Sequence, residues 1–312
     1  MISLSKKYLT SIEDLSEDEI RYLISQAIEF KTKKSDNGNN NQILAGKTLA
    51  LMFEKPSTRT RLSFEAAMFQ LGGNTIYLNA NDLQLSRGES IQDTAKTISL
   101  YVDCLVSRVH SHNTIIELSQ NCKIPLINGL SDLYHPCQSL ADLMTILEYK
   151  KSFKGLTLAW IGDGNNVCND LLIGCAKVGI NIRAAIPEGY EPPQYVLEVV
   201  THESKLKQTG FTIVREPVDA VKNADVVVTD TFVSIGKEKE VDKRKSIFIP
   251  KYQVNDQLMS YSKDNAIFLH CLPAKRGQEV TSEVIDGKKS VVWDEAENRL
   301  HVQKSLLVSL LI

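Results

Sequence analysis

The run Phe53-Glu54-Lys55-Pro56-Ser57-Thr58-Arg59-Thr60-Arg61 concentrates hydroxyls and guanidinium groups between an apolar segment, 48–53, and a helix-like one that continues to 71. A helix N-terminus carries unpaired N–H groups and a partial positive charge, so it attracts anions. Ser57, Thr58 and Thr60 add hydroxyls, and Arg59 adds a planar fork that fits phosphate oxygens. The pattern predicts a site for a phosphate-bearing small molecule. An ordinary capped helix with a solvated Arg61 accounts for Ser57 alone, but poorly for the whole run.

Six further places in the chain carry side chains suited to chemistry, each with a plainer alternative. In Asp132-Leu133-Tyr134-His135-Pro136-Cys137-Gln138 the proline suits a helix start. His135 there could polarise a carbonyl and Gln138 could read an amide; alone, a histidine before proline reads as a structural hydrogen-bonding residue. Arg108 follows a strand-like segment and by itself reads as a surface ion pair. Gly162-Asp163-Gly164-Asn165-Asn166-Val167 lacks the third glycine of a dinucleotide fingerprint. Its asparagines suit either a carboxylate ligand or a turn with positive φ. Asp230 opens Asp230-Thr231-Phe232-Val233-Ser234-Ile235-Gly236 and suits a substrate ammonium or a helix cap. In His270-Cys271-Leu272-Pro273-Ala274 the thiol is either activated by a cation or buried and inert. Arg299, in Ala296-Glu297-Asn298-Arg299-Leu300-His301, either returns to the anion site or is solvated.

The elements that must position these residues alternate. Ser16 and Glu19 have capping-box spacing ahead of a helix that ends before the polar loop 35–41. Strands are expected at 48–53, 74–79, 103–107 and 124–127, with helices at 58–71, 90–101, 113–121 and 137–150. A second half follows, with strands at 156–161, 182–186, 225–229 and 266–269 and another at Val291-Val292-Trp293. Its helices are expected at 167–178, 194–207 and from about Ala296. The reading is α/β, with two doubly wound parallel-sheet domains, 1–146 and 147–296, and helix 297–312 returning to the first. Ligands of such sheets sit beyond the carboxyl ends of the strands, where the unusual segments fall, so one cleft between the domains is expected.

Composition narrows the function. Of 312 residues, 36 are Lys or Arg and 38 are Asp or Glu, a net charge of −2, which gives no sign of a nucleic-acid partner. Six cysteines form no CxxC pair, and no His/Cys spacing suits zinc, so free thiols and no metal are expected. His110-Ser111-His112 reads as a surface turn. Met1 to Lys7 has no apolar core of signal-peptide length and no run reaches membrane-span length, so a cytoplasmic protein without membrane contact is expected.

Taken together, the segments around Ser57–Arg61, His135–Gln138, Gly162–Asn166, Asp230 with Ser234–Gly236, His270–Pro273 and Ala296–Arg299 resemble the aspartate/ornithine carbamoyltransferase superfamily over essentially the whole chain. The resemblance implies a carbamoyl phosphate domain, an ornithine domain, trimers or multiples of them, and no cofactor. It implies transfer of a carbamoyl group from carbamoyl phosphate to the δ-amine of L-ornithine, giving L-citrulline and phosphate in arginine metabolism. By family pattern, Ser57, Thr58, Arg59, Thr60 and Arg108 hold carbamoyl phosphate. His135, Pro136, Cys137 and Gln138 lie at its carbamoyl group, and Cys271, Leu272 and Arg299 assist. Gln84 matches a residue lent by a neighbouring subunit, and Asn166, Asp230, Ser234 and Ile235 match ornithine-binding positions. Arg108, His135, Cys271 and Asp230 match the catalytic group. Two departures stand out: Ile235 replaces a usual methionine and Phe232 a common tryptophan. Gln84 and Cys271 oppose the aspartate-using branch, and the missing glycine opposes a nucleotide-dependent oxidoreductase. N-acetylornithine or putrescine as acceptor, or a catalytically silent binding module, would be separated by assay.

Overall fold

The computed structural model describes residues 4–33, 42–233 and 237–312. The chain divides into two compact units, Met1–Ala141 with Glu297–Ile312, and Asp142–Ala296.

The first unit holds strands β1 (Tyr8–Leu9), β2 (Thr48–Phe53), β3 (Asn74–Asn79), β4 (Cys104–Arg108) and β5 (Leu126–Leu130). Helices α1 (Glu17–Lys33), α2 (Thr58–Gln70), α3 (Ile91–Ile98) and α4 (His112–Asn121) pass between them, and α5 (Pro136–Lys150) follows. All strand pairs are parallel, in the order β1-β5-β4-β2-β3. Central strands are covered on both faces, so β2 reads as an apolar run, and β4 is buried throughout, apolar from Cys104 to Val106 and polar at Ser107 and Arg108. Ala50, Met52, Leu105, Ile115, Leu118 and Leu126 pack together on one side of this sheet.

The second unit repeats the plan. Strands β6 (Thr157–Ile161), β7 (Asn181–Ala185), β8 (Phe211–Val214), β9 (Val226–Thr229) and β10 (Ile267–His270) pair in parallel in the order β10-β9-β6-β7-β8. Helices are α6 (Asn166–Val178), α7 (Gln194–Leu206), α8 (Pro217–Val221), α9 (Val241–Phe248), α10 (Asp256–Met259), α11 (Ser282–Ile285) and α12 (Val292–Leu311). Ala159, Ile161, Val227, Phe248 and Phe268 form part of its core.

In each sheet the chain first winds one way and then jumps over its starting strand. The reversal lies between β2 and β4 in the first sheet and between β6 and β9 in the second. Loops diverge at such a point and leave a crevice at the carboxyl ends. Segment 54–60 leaves β2 there and Arg108 ends β4; segment 162–166 leaves β6 and Asp230 follows β9.

The structure corrects several sequence expectations. Val291-Val292-Trp293 is not a strand. One bridge joins Ser290 to Phe268, and α12 then begins at Val292 rather than near Ala296. Two adjacent buried valines followed by an exposed Trp293 do not alternate, and Asp294 and Glu295 favour a first helical turn. The strand expected at 124–127 runs from Leu126 to Leu130 because buried Asn128 finds a partner, its amide donating to Thr10 O at 2.8 Å. His110 and Ser111 are exposed and outside regular structure, as a surface turn requires, but His112 opens α4, lies 2.9 Å from Ser131 Oγ and meets the Tyr134 ring edge-on. Strand β1 has two residues and β8 has four, too few for a periodic signal.

Gly164 shows how closely the β6 turn is packed. A Cβ there would lie 2.4 Å from Pro192 N and 2.6 Å from Glu191 C, both backbone atoms. Gly164→Ala is expected to destabilise the protein by ~1–3 kcal/mol, the usual cost of overpacking, as read by urea denaturation. An unchanged midpoint would contradict this packing.

Candidate active site

The first unit gathers most of the residues singled out by sequence. Ser57 caps α2, accepting from Thr60 N–H at 3.4 Å, and no acidic side chain occupies the first turn to neutralise the helix dipole. Thr60 is buried, and its Oγ1 accepts from Arg108 at 3.4 Å and from Arg299 at 3.4 Å. Arg299 also donates to Gln138 Oε1 at 2.6 Å. Arg108 reaches this point because β4 ends opposite Phe53, the last residue of β2. Arg299 reaches it from α12, whose later part belongs to this unit.

His135 precedes α5, whose first residue is Pro136, and Cys137 Sγ lies 3.7 Å from Asn128 O. The imidazole is buried, and its Nδ1 has no hydrogen-bond partner among the described residues. Burial, and then the charges of Arg299, Arg108 and Arg59, hold its pKa well below 6.5. His135 is therefore neutral at physiological pH, a dipolar group beside three cations. Arg59 is half-buried and makes no hydrogen bond or ion pair with a described residue. Arg61 turns elsewhere, pairing with Glu65 at 2.9 Å over the Tyr77 ring. Thr58 is exposed at the first position of α2. Such a set can bind a small dianion and polarise a carbonyl attached to it.

The second unit gathers a different set. Asp230 Oδ2 accepts from Asn165 Nδ2 at 2.7 Å, and Oδ1 accepts from Thr231 N–H at 2.7 Å and from the Cys271 thiol at 3.1 Å. Burial, with Asp230 and Glu295 nearby, pushes the Cys271 pKa well above 9.0. The activated-thiolate alternative for Cys271 is thus corrected: this is a neutral hydrogen-bond donor. Leu272 has φ 55°, a strained setting for a branched side chain, and its N–H donates to His270 Nδ1 at 2.9 Å.

Asp230, His270 and Cys271 bring one ligand atom each within 4.8 Å of one another, a cluster that sequence spacing does not reveal. The donor set fits a hydrogen-bond cluster better than a metal. The imidazole is engaged by Leu272 N–H on one side and by Glu279, at 3.3 Å, on the other.

Other sequence-predicted residues stand apart. Gln84 is exposed at the start of the short 3-10 helix Gln84–Arg87, and its side chain makes no hydrogen bond with a described residue. Asn166 opens α6, half-buried, with its Oδ1 3.1 Å from Val167 N. Ser234 and Ile235 lie outside the described residues. Asn165, read from sequence as a possible amide donor to a carboxylate, donates to that of Asp230 and also caps α6. Sequence reasoning missed one support. Arg244 donates to Asp163 Oδ2 at 2.6 Å and to Phe232 O at 3.1 Å, tying the segment after β9 to the β6 turn. Nothing in the sequence signals a pair 81 residues apart.

Comparison with known proteins gives the family. Residues 7–148 match the carbamoyl-P binding domain of aspartate/ornithine carbamoyltransferase, and residues 154–310 match its Asp/Orn binding domain. The chain belongs to the aspartate/ornithine carbamoyltransferase family. It is 48% identical to the ornithine carbamoyltransferase of Pyrococcus horikoshii, covering 100% of this chain and 98% of that one. It is 54% identical to that of Cenarchaeum symbiosum, covering 98% of each. The solved structure of the Pyrococcus furiosus ornithine carbamoyltransferase superposes with a TM-score of 0.94 at 47% identity, over 98% of this chain and 97% of that one. Among the described residues no helix is long and apolar enough to cross a membrane.

The family assignment and the depressed His135 pKa make one ionisation testable. The His135 ring resonances, assigned with a His135→Gln variant, are expected to show no titration between about pH 6 and 8. An inflection near the ordinary histidine value of about 6.5 would contradict the neutral-imidazole assignment.

Proposed function

We propose that this protein transfers the carbamoyl group of carbamoyl phosphate to the δ-amine of L-ornithine, releasing L-citrulline and phosphate. The observation that carries the proposal is the convergence of Arg108 and Arg299 on Thr60, at an uncompensated helix N-terminus and beside a neutral His135. Ser57, Thr58, Arg59 and the α2 N–H groups take the phosphate. Thr60, Arg108 and His135 donate to the carbamoyl oxygen, with Gln138 at the carbamoyl amide and Pro136 and Cys137 shaping the turn. Arg299 and the Cys271–Leu272 segment assist.

The amine nitrogen attacks the carbamoyl carbon, a C–N bond forms, and the C–O bond to phosphate breaks. Negative charge builds first on the carbamoyl oxygen, where preorganised donors act more strongly than water, and then on the departing phosphate. An alkyl amine has a pKa of about 10, so one proton must leave to solvent before attack; a second leaves the nitrogen as the C–N bond forms, and the departing phosphate is a suitable acceptor for it. Asp230, held by Asn165 and Cys271, supplies the carboxylate that orients the amino acid, and Asn166, Ser234 and Ile235 are the further ornithine-binding residues. We place the enzyme in the cytoplasm, as a homotrimer or a multiple of trimers in which Gln84 of a neighbouring copy completes the phosphate site.

The direct test is citrulline formation from carbamoyl phosphate and ornithine by the purified protein, with N-acetylornithine, putrescine and aspartate as competing acceptors. Ornithine is expected to be the preferred acceptor, and preference for another would overturn the assignment. Arg59→Ala is expected to lower turnover by at least a few hundred-fold, as loss of an oxyanion donor costs ~3 kcal/mol of barrier. Near-normal turnover would remove Arg59 from the phosphate site. Cys271→Ala is expected to change the KM for ornithine more than that for carbamoyl phosphate, and equal changes would argue against its place beside Asp230.

A further inference from the structure

Glu54 opens the phosphate-site run, yet the chemistry above gives its carboxylate no task. The side chain is half-buried, and its Oε2 accepts the backbone N–H of His110 at 2.6 Å. It forms no ion pair with a described residue, so its partner is backbone rather than a cation. The backbone N–H of Glu54 donates to Arg108 O at 2.9 Å, adding one rung to the β2–β4 ladder. Residue 54 therefore grips the neighbouring strand at two points, on either side of Val109.

Residue His110 is also held from the third loop. Its carbonyl, in the next peptide group, accepts from Asp132 N–H at 2.8 Å, and Asp132 Oδ1 accepts from His112 N–H at 2.8 Å. The N–H and C=O of one residue thus join the loops that carry Ser57 to Thr60, Arg108 and His135. A carboxylate accepting a backbone N–H is stronger than a neutral acceptor and stiffer than a long-range ion pair.

We propose that Glu54 is a positioning residue for carbamoyl phosphate, fixing the distance between the α2 N-terminus and Arg108 through its grip on the His110 peptide. The inference rests on the carbamoyl phosphate site proposed above and adds to it the part that sets its width. Sites of this kind lose much of their effect when donors move by as little as ~1 Å.

The test is steady-state kinetics with inhibition by inorganic phosphate for Glu54→Ala, Glu54→Asp and Glu54→Gln, beside Arg59→Ala. Removing the acceptor, or shortening it by one methylene, is expected to raise the carbamoyl phosphate KM and the phosphate inhibition constant about tenfold. The KM for ornithine is expected to stay within about twofold. Glu54→Gln keeps an acceptor oxygen at the same reach and is expected to restore both constants to within about threefold of the parent. Unchanged constants in Glu54→Ala, equal loss in the Ala and Gln variants, or a parallel rise in both substrate KM values with a lowered Tm would each overturn the proposal. If Arg59→Ala leaves phosphate inhibition intact, the site itself is misplaced and the proposal falls with it. If Arg59→Ala abolishes inhibition while Glu54→Ala does not alter it, only the positioning role fails.

Discussion

Three guanidinium groups, Arg59, Arg108 and Arg299, press on one buried imidazole in the first unit. Like charges gathered in a partly desolvated place repel each other, and the arrangement persists only because surrounding structure holds it. Two of these groups share the hydroxyl of Thr60, which the α2 N-terminus supplies. The consequence is a local concentration of positive charge, suited to a phosphate dianion. Burial, and then the same field, keeps His135 neutral, and so fit to polarise a carbonyl without competing for the anion. The anion site and the electrophile-activating group are therefore one electrostatic object.

The second unit uses the same topology for the opposite charge. Its sheet reverses winding between β6 and β9, as the first does between β2 and β4, and the loops at both reversals carry the reactive side chains. Where the first unit places arginines, the second places Asp230, braced by Asn165 and by a thiol that remains protonated. The pattern suits an ammonium-bearing partner, complementary in sign to the anion taken by the first unit.

What the sequence made legible follows from the range of the forces involved. The central strands β2, β6 and β9 announce themselves as buried apolar runs. The helix start at Ser57 and the proline after His135 are local signals, so the phosphate loop and the His135–Gln138 turn can be read directly. The short strands β1 and β8, and the helical start at Val292, could not be read, because tertiary pairing and packing overrode weak local preference. Side-chain roles set by distant partners were equally hidden. The neutral state of Cys271 depends first on burial and then on Asp230, 41 residues away, and the brace on Phe232 depends on Arg244 and Asp163. The family resemblance supplied roles for such residues without supplying the forces that fix them.

The central claim is that the first unit neutralises a phosphate dianion at the α2 N-terminus. The most direct measurement is a crystal structure with a bisubstrate mimic in which a phosphonoacetyl group is joined to the δ-nitrogen of ornithine. The account predicts the phosphonate oxygens within hydrogen-bond distance of Ser57, Thr58 and Arg59, with the mimic's carbonyl oxygen facing Arg108 and His135. A phosphonate seated away from Arg59, or an unbound mimic at saturating concentration, would contradict it.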